Sequence, residues 1–317
     1  MSSMSQTPGR SATVQQDRPL AVSGPKAAIR NCMSVDVEEH FQVQAFASTI
    51  DRADWDTYES RVERNTDRVL QIFDDAGIKA TFFSLGWVAE RHPDLIRRIV
   101  GAGHELGSHG YSHVLIHSQS PEQFRADVRR TKTILEDISG IEVRGYRAAT
   151  FSLDKRCLWA HDVLAEEGYR YSSSIFPVKR DLYGMPDAPR TAYRAGADQT
   201  LIEVPLTTVR VFGRNLPYFS GGGFFRLIPY ALSRMAFRRV NKRDHASCIF
   251  YFHPWEIDPE QPLITDAPLK SRIRHYINLD VMERKIRAAL RDFAWARMDE
   301  VFLGEPPAAS ANDNRGV

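Results

Sequence analysis

Cysteine is scarce in this chain. Cys32, Cys157 and Cys248 are odd in number, widely spaced and set in apolar stretches. That argues against a disulfide framework and for buried free thiols in a reducing compartment. Long apolar runs are missing too. No segment approaches the roughly 20 uncharged residues of a membrane-spanning helix. The first 28 residues, rich in Ser, Gln, Pro and Ala, hold no apolar core of a signal peptide. They read as a disordered tail on a cytoplasmic protein with no integral membrane segment. Nor does charge of one sign dominate, because 42 Lys and Arg balance 40 Asp and Glu, a formal +2, in mixed runs such as 61–68. Without a basic stripe there is no case for a nucleic-acid partner. No internal repeat is present.

What remains is an ordinary globular composition, 43% hydrophobic and 26% charged over 317 residues, long enough for one large α/β barrel or two small domains. From residue 29 onward short apolar runs alternate with helical periods, the pattern of βα units around a parallel sheet. Residues 29–35, 79–85, 104–108, 143–148, 171–175, 202–206 and 248–253 read as strands. Between them, 61–76 puts Val62, Val69, Ile72 and Phe73 on one helical face, and 93–102 is a short helix. Ser120, Pro121 and Gln123 open a helix that ends at Gly140, and Asp154 opens another that runs to Gly168. Segments 178–200 and 213–223 are loop-like. Residues 279–302 read as one long amphipathic helix, and 304–317 as a frayed tail.

Chemistry concentrates in four places. Ser108-His109-Gly110-Tyr111-Ser112-His113 sets two imidazoles four apart just beyond a strand. On a helical turn both rings would reach a single divalent ion. Ser34-Val35-Asp36-Val37-Glu38-Glu39 gathers three carboxylates at the end of the first strand, where α/β barrels place reactive groups. Alone this is a solvated acidic loop. With His109 and His113 it completes a two-histidine, one-carboxylate set that leaves coordination sites open. His253, in Phe252-His253-Pro254-Trp255, ends a late apolar strand and is either a rim histidine or a general acid. Arg147 also lies at a strand end, and is either a surface ion-pair partner or the cation that holds Asp36 ionised. Trp87, Phe219, Phe224, Phe225 and Trp255 are candidate stacking surfaces for a pyranose, with core packing the plainer reading. Gly221-Gly222-Gly223 is too weak for a phosphate loop and reads as a mobile groove rim.

In order, the runs SVDVEEH, KATFFSLG, GHELGSHGYSH, GYRAATFS, YRYSSSIFP and IFYFHPWE resemble the polysaccharide deacetylases of carbohydrate esterase family 4, the NodB-homology proteins. The likeness covers roughly 30–260 and is greatest to the branch found with exosortase-linked exopolysaccharide gene clusters, whose members carry an extra C-terminal region. It implies a distorted (β/α) barrel of about seven strands with an added C-terminal helical segment. The expected layout is a tail over 1–28, one catalytic domain over 29–303 with an extension from about 256, and a tail over 304–317. The implied activity is metal-dependent removal of N-acetyl groups from an amino-sugar oligomer or polymer, or its precursor. It further implies Asp36 as base, Arg147 as the residue orienting it, His253 as acid, and an acidic neighbour with His109 and His113 as ligands of a divalent metal, zinc in the first instance. Here Val37 follows Asp36, so the metal carboxylate is Glu38 or Glu39. On an extended chain Glu38 points to the same side as Asp36 and Glu39 away, which favours Glu38. Ser172 stands where many members carry an aspartate, leaving the partner that tunes His253 unnamed. The competing functions are an amidohydrolase of a small non-sugar amide and a non-catalytic carbohydrate-binding relative.

Overall fold

A computed structural model describes residues 29–180, 183–217 and 219–304. In chain order its strands are β1 (Asn31–Val37), β2 (Thr81–Ser84), β3 (Glu105–Ser108), β4 (Gly145–Tyr146), β5 (Tyr171–Ser172), β6 (Tyr193–Ala195), β7 (Leu201–Glu203), β8 (Val209–Val211), β9 (Arg214–Leu216), β10 (Ile249–Phe252) and β11 (Trp295–Ala296). The helices are α1 (Val62–Asp75), α2 (Gly86–Arg91), α3 (Pro93–Gly101), α4 (Pro121–Ser139), α5 (Ala160–Glu166), α6 (Gly222–Leu227), α7 (Tyr230–Arg239), α8 (Leu269–Tyr276), α9 (Met282–Asp292) and α10 (Met298–Phe302).

Strands β10, β1, β2, β3, β4, β5 and β7 lie side by side and parallel, and β6 adds an antiparallel edge. The sheet curls into a half-barrel whose end strands β10 and β6 do not pair among the described residues, so the fold is α/β with an open seam and seven parallel strands along its path, to which β11 adds a short eighth beside β1. Every residue of β1 is buried, as befits a central parallel strand covered on both faces. Helix α4 has the expected capping box at Ser120 and Gln123, and stops at Gly140 in the left-handed region (φ 71). Because the strands run the same way, the ends of β1, β3, β4 and β10 open on one rim.

The chain after 279 departs from a single helix. Phe293 is extended (φ −139, ψ 154), and Trp295 and Ala296 enter the sheet beside Asn31 and Cys32. The start of β1 supplies the reason: Asn31 needs a backbone partner and donates to the Ala294 carbonyl at 2.8 Å. The Trp295 ring is buried, with its N–H on the Ala289 carbonyl. The helix expected from Asp154 begins only at Ala160, because the Asp154 carboxylate accepts from the Arg156 N–H and guanidinium in a local turn. The segments expected as loops contain β6, β9 and the start of α6. The expected tails lie outside the described residues, Gly304 excepted. All three cysteines are buried and unpaired. Among the described residues no helix is long and apolar enough to cross a membrane.

Candidate metal and catalytic centre

Asp36 and Glu38 sit two apart where β1 runs out onto the rim, and both are buried. The Arg147 guanidinium donates to Asp36 Oδ1 at 2.7 Å and to Ser34 Oγ at 2.7 Å. Its other edge is held by the Ser173 carbonyl and hydroxyl, and its face lies 4.2 Å over the Phe83 ring. An arginine so fixed is fully buried yet satisfied. Burial alone would raise the Asp36 carboxyl, but Arg147, His109 and His253 outweigh it and hold the group below the usual carboxylate range.

His109 follows β3 directly, and its Nδ1 lies 2.8 Å from the Arg147 carbonyl. A carbonyl only accepts, so Nδ1 carries the proton and Nε2 keeps a free lone pair. His113 reaches the same place through a bend, in which Gly110 (φ 74) and His113 (φ 54) both take the left-handed conformation. The expected helical turn is absent there. Arg52 secures the bend by donating to the Ser112 and His113 carbonyls, so the strained backbone at His113 is fixed by tertiary contacts. Burial pushes both imidazoles down, towards the neutral form that can ligate.

Glu38, His109 and His113 each offer one atom within 4.8 Å of the others. Glu38 Oε2 comes to 3.1 Å of His113 Nε2, yet makes no hydrogen bond although it is buried. Burial pushes the Glu38 carboxyl up to about 7. A buried carboxylate oxygen without a donor, facing two neutral imidazoles, fits a cation. Glu39 turns away and accepts from the Ser60 hydroxyl and from the N–H groups of Arg61 and Val62, capping the start of α1.

His253 closes the opposite side. Its Nε2 lies 3.5 Å from Glu38 and 4.0 Å from Asp36, while Nδ1 is 2.9 Å from Glu256 Oε1. Glu256 Oε2 in turn lies 2.9 Å from Arg226, and both side chains are buried. Burial would depress the His253 imidazole, but Glu38, Glu256 and Asp36 together raise it to about 9. Glu256 is thus the partner left unnamed by the sequence. The signal was an acid three residues after His253, in HPWE. Ser172 bonds to Ser174 and does not reach the imidazole. Trp255 stacks on His253 with ring centroids 5.0 Å apart, and His275 of α8 stacks on its other face at 4.2 Å.

These groups line a cavity of ≈ 150 Å³, walled by Phe151, Tyr183, Tyr251 and Trp255. Of the five candidate stacking aromatics only Trp255 faces it. Trp87 and Phe225 are core. Nor is the glycine run a mobile rim: Gly221 bridges Tyr251, and a Cβ there would come within 1.8 Å of the Tyr251 carbonyl, so glycine serves close packing against β10. A larger cavity, ≈ 1190 Å³, lies elsewhere and contains none of the centre's ionisable groups.

Residues 44–172 match the polysaccharide deacetylase family, and residues 173–303 match a domain of unknown function (DUF3473). A peptidoglycan-N-acetylglucosamine deacetylase of Bacillus cereus is 35% identical over 75 residues, 24% of this chain and 27% of that protein. A peptidoglycan deacetylase of Helicobacter pylori is 29% identical over 108 residues, 34% of this chain and 36% of that protein. Among solved structures, a Mycobacterium smegmatis protein described as a polysaccharide deacetylase superposes with a TM-score of 0.58 at 23% identity, covering 90% of this chain and 93% of the other. The allantoinase Puue superposes equally well, at 0.58 and 18% identity, covering 93% and 96%. At such identities the structural likeness is one of fold. The sequence match is to the polysaccharide deacetylase family over 44–172, and it is continued by a second matched region that holds His253 and Glu256.

Proposed function

We propose that the protein is a metal-dependent N-deacetylase of amino sugars in a polysaccharide or its precursor. The observation that carries this reading is the convergence of a fixed carboxylate, a cationic imidazole and a three-donor metal set on one buried cavity. Glu38, His109 and His113 would hold the ion, which when bound supplies polarisation of the acetamide carbonyl and a water of lowered pKa. Asp36, kept ionised by Arg147, takes the proton of the attacking water. His253, with Nδ1 held by Glu256, presents Nε2 to the amide nitrogen and protonates it as the C–N bond breaks, giving acetate and a free amine. The exopolysaccharide branch is supported by the sequence continuing past the deacetylase motifs into the second matched region. We treat 29–303 as one unit because β1 pairs with β10 and β11 across that division. Three unpaired thiols agree with a cytoplasmic setting.

A second reading, hydrolysis of a small non-sugar amide, draws on the modest ≈ 150 Å³ of the cavity. Acetate release from N-acetylglucosamine oligomers, by protein stripped with chelator and then resupplied with Zn²⁺, Co²⁺ or Ni²⁺, tests the proposal. Metal-restored release is expected. Turnover of a small cyclic amide with none on any amino sugar would establish the second reading. Oligosaccharide binding without release would mark a non-catalytic relative.

A further inference from the structure

Strands β8 and β9 form a hairpin separate from the main sheet, paired Val209 to Leu216 and Val211 to Arg214. Its two-residue turn is Phe212-Gly213, with φ 46 and 77. Such turns select Asn, Asp or Gly at the first position because a side chain is strained at positive φ. Here the position holds a phenylalanine that is 102% exposed, against 0–2% for the core phenylalanines Phe41, Phe82 and Phe250. An aromatic placed in water on strained backbone pays twice, which marks a contact surface.

The hairpin's neighbour shares its character. Helix α7 exposes Leu232 (47%) and Met235 (65%), three apart on one face. Arg239 follows on that face, and its guanidinium donates to the Arg210 carbonyl of the hairpin at 3.1 Å. Arg210, Arg214, Arg238, Arg239, Lys242 and Arg243 are all exposed, and none has an acid partner among the described residues. Between Val204 and Trp255 the sequence holds a single acid, Asp244, which is paired with Arg190 at 2.8 Å. Four of these cations fall within residues 238–243, and the fold sets the hairpin that carries Arg210 and Arg214 against Arg239.

We propose that the Phe212 hairpin tip and the exposed face of α7 dock the protein on an anionic lipid surface. Phe212, Leu232 and Met235 would enter the interface while the surrounding cations meet headgroup phosphates. Charge complementarity selects the anionic surface. The apolar trio selects lipid over an acidic polymer, since aliphatic Leu232 and Met235 gain nothing from a hydrated polyanion. The site is distinct from the catalytic centre and does not depend on its assignment.

Co-sedimentation of the full chain with vesicles tests this, using phosphatidylcholine alone and phosphatidylcholine mixed with phosphatidylglycerol. The wild type should pellet with the mixed vesicles, weakly with the neutral ones, and less at high salt. Phe212→Asp should lower partition roughly tenfold or more, as should Arg238→Gln combined with Lys242→Gln and Arg243→Gln. Phe212→Trp should add emission that shifts to the blue on mixed vesicles, after subtraction of the wild-type spectrum. Catalytic activity on a soluble substrate should be unchanged in Phe212→Asp. Failure to pellet with mixed vesicles would overturn the proposal, as would pelleting that survives Phe212→Asp. Retention on a heparin column without vesicle binding would assign the face to an acidic polymer instead.

Discussion

Two buried polar clusters occupy opposite ends of the same parallel strands. At the starting ends, Glu105 opens β3 and accepts from Thr81 Oγ at 2.6 Å, the Tyr171 hydroxyl at 2.8 Å and the Asp299 N–H at 3.1 Å. Asp299 is in turn gripped by Arg144 and Arg297. At the finishing ends, Asp36, Glu38, His109, His113 and His253 converge with an oxygen of Glu38 left without a donor. The Glu105 carboxylate is satisfied on both oxygens and closes the base of the half-barrel. The other cluster is built open. Burial and charge alone do not separate the two, whereas hydrogen-bond satisfaction does: both oxygens of Glu105 have donors, and Glu38 Oε2, beside two imidazoles, has none.

The sharpest break between the clusters should come from paired substitutions. Asp36→Asn preserves shape and removes the base, so acetate release of the folded fraction should fall roughly a hundredfold or more while bound metal changes little, and the urea midpoint should drop because the buried Arg147 guanidinium loses its counter-charge. Glu105→Ala should spare the chemistry, stranding three donors and costing about 3 kcal/mol of stability while turnover of the folded fraction persists. Near wild-type turnover of metal-loaded Asp36→Asn would remove Asp36 from the base role. A Glu105→Ala variant as stable as wild type would show that the base cluster is not what closes the barrel.

How much of this was legible beforehand follows the range of the interactions. The parallel strands and α4 were readable because period and capping are local properties. Asp36, Glu38, His109, His113, Arg147 and His253 were visible as polar residues at strand ends, which a parallel fold brings to one rim. What stayed hidden depends on distant partners. Trp295 reads as helix until the unpaired start of β1 claims it. Arg226 gives no sign in sequence that it lies against Glu256, and the i, i+4 spacing of His109 and His113 says helix where Arg52 holds a bend. Glu105 and Asp299, 194 residues apart, meet only in the fold.

The neighbouring carboxylates Glu38 and Glu39 carry the comparison into a single dipeptide. Glu38→Gln should weaken metal affinity at least tenfold and, in metal-free protein, leave stability equal or higher, because it neutralises a buried carboxylate whose Oε2 lacks a donor while Oε1 can still accept from the Trp255 indole N–H. Glu39→Gln should leave metal affinity nearly intact and cost about 1 kcal/mol through its cap on α1. Metal titration and urea unfolding of both variants would decide. The opposite ranking of metal affinities would move the ligand to Glu39.

The smallest expected effect is a pH slope at the base cluster. Burial, reinforced by the Asp299 charge, pushes the Glu105 carboxyl from 4.5 up to about 7. A carboxylate whose pKa rises on folding holds its proton more tightly in the folded protein, so between those values the native state binds more protons than the unfolded chain. Stability from this group is therefore present in full below about 4.5 and declines as pH rises through about 7. Glu105→Gln cannot titrate, and the difference in unfolding free energy between wild type and variant should shift against the wild type across that window. Other groups, His253 among them, titrate in both proteins and cancel in the difference. A difference that is flat with pH would mean that the donors from Thr81, Tyr171 and Asp299 already hold Glu105 ionised. A difference that moves in favour of the wild type would mean that they lower its pKa below the unfolded value. In either case the base cluster would be a carboxylate cradle rather than a buried proton store, and the contrast with the open centre would rest on satisfaction of hydrogen bonds alone.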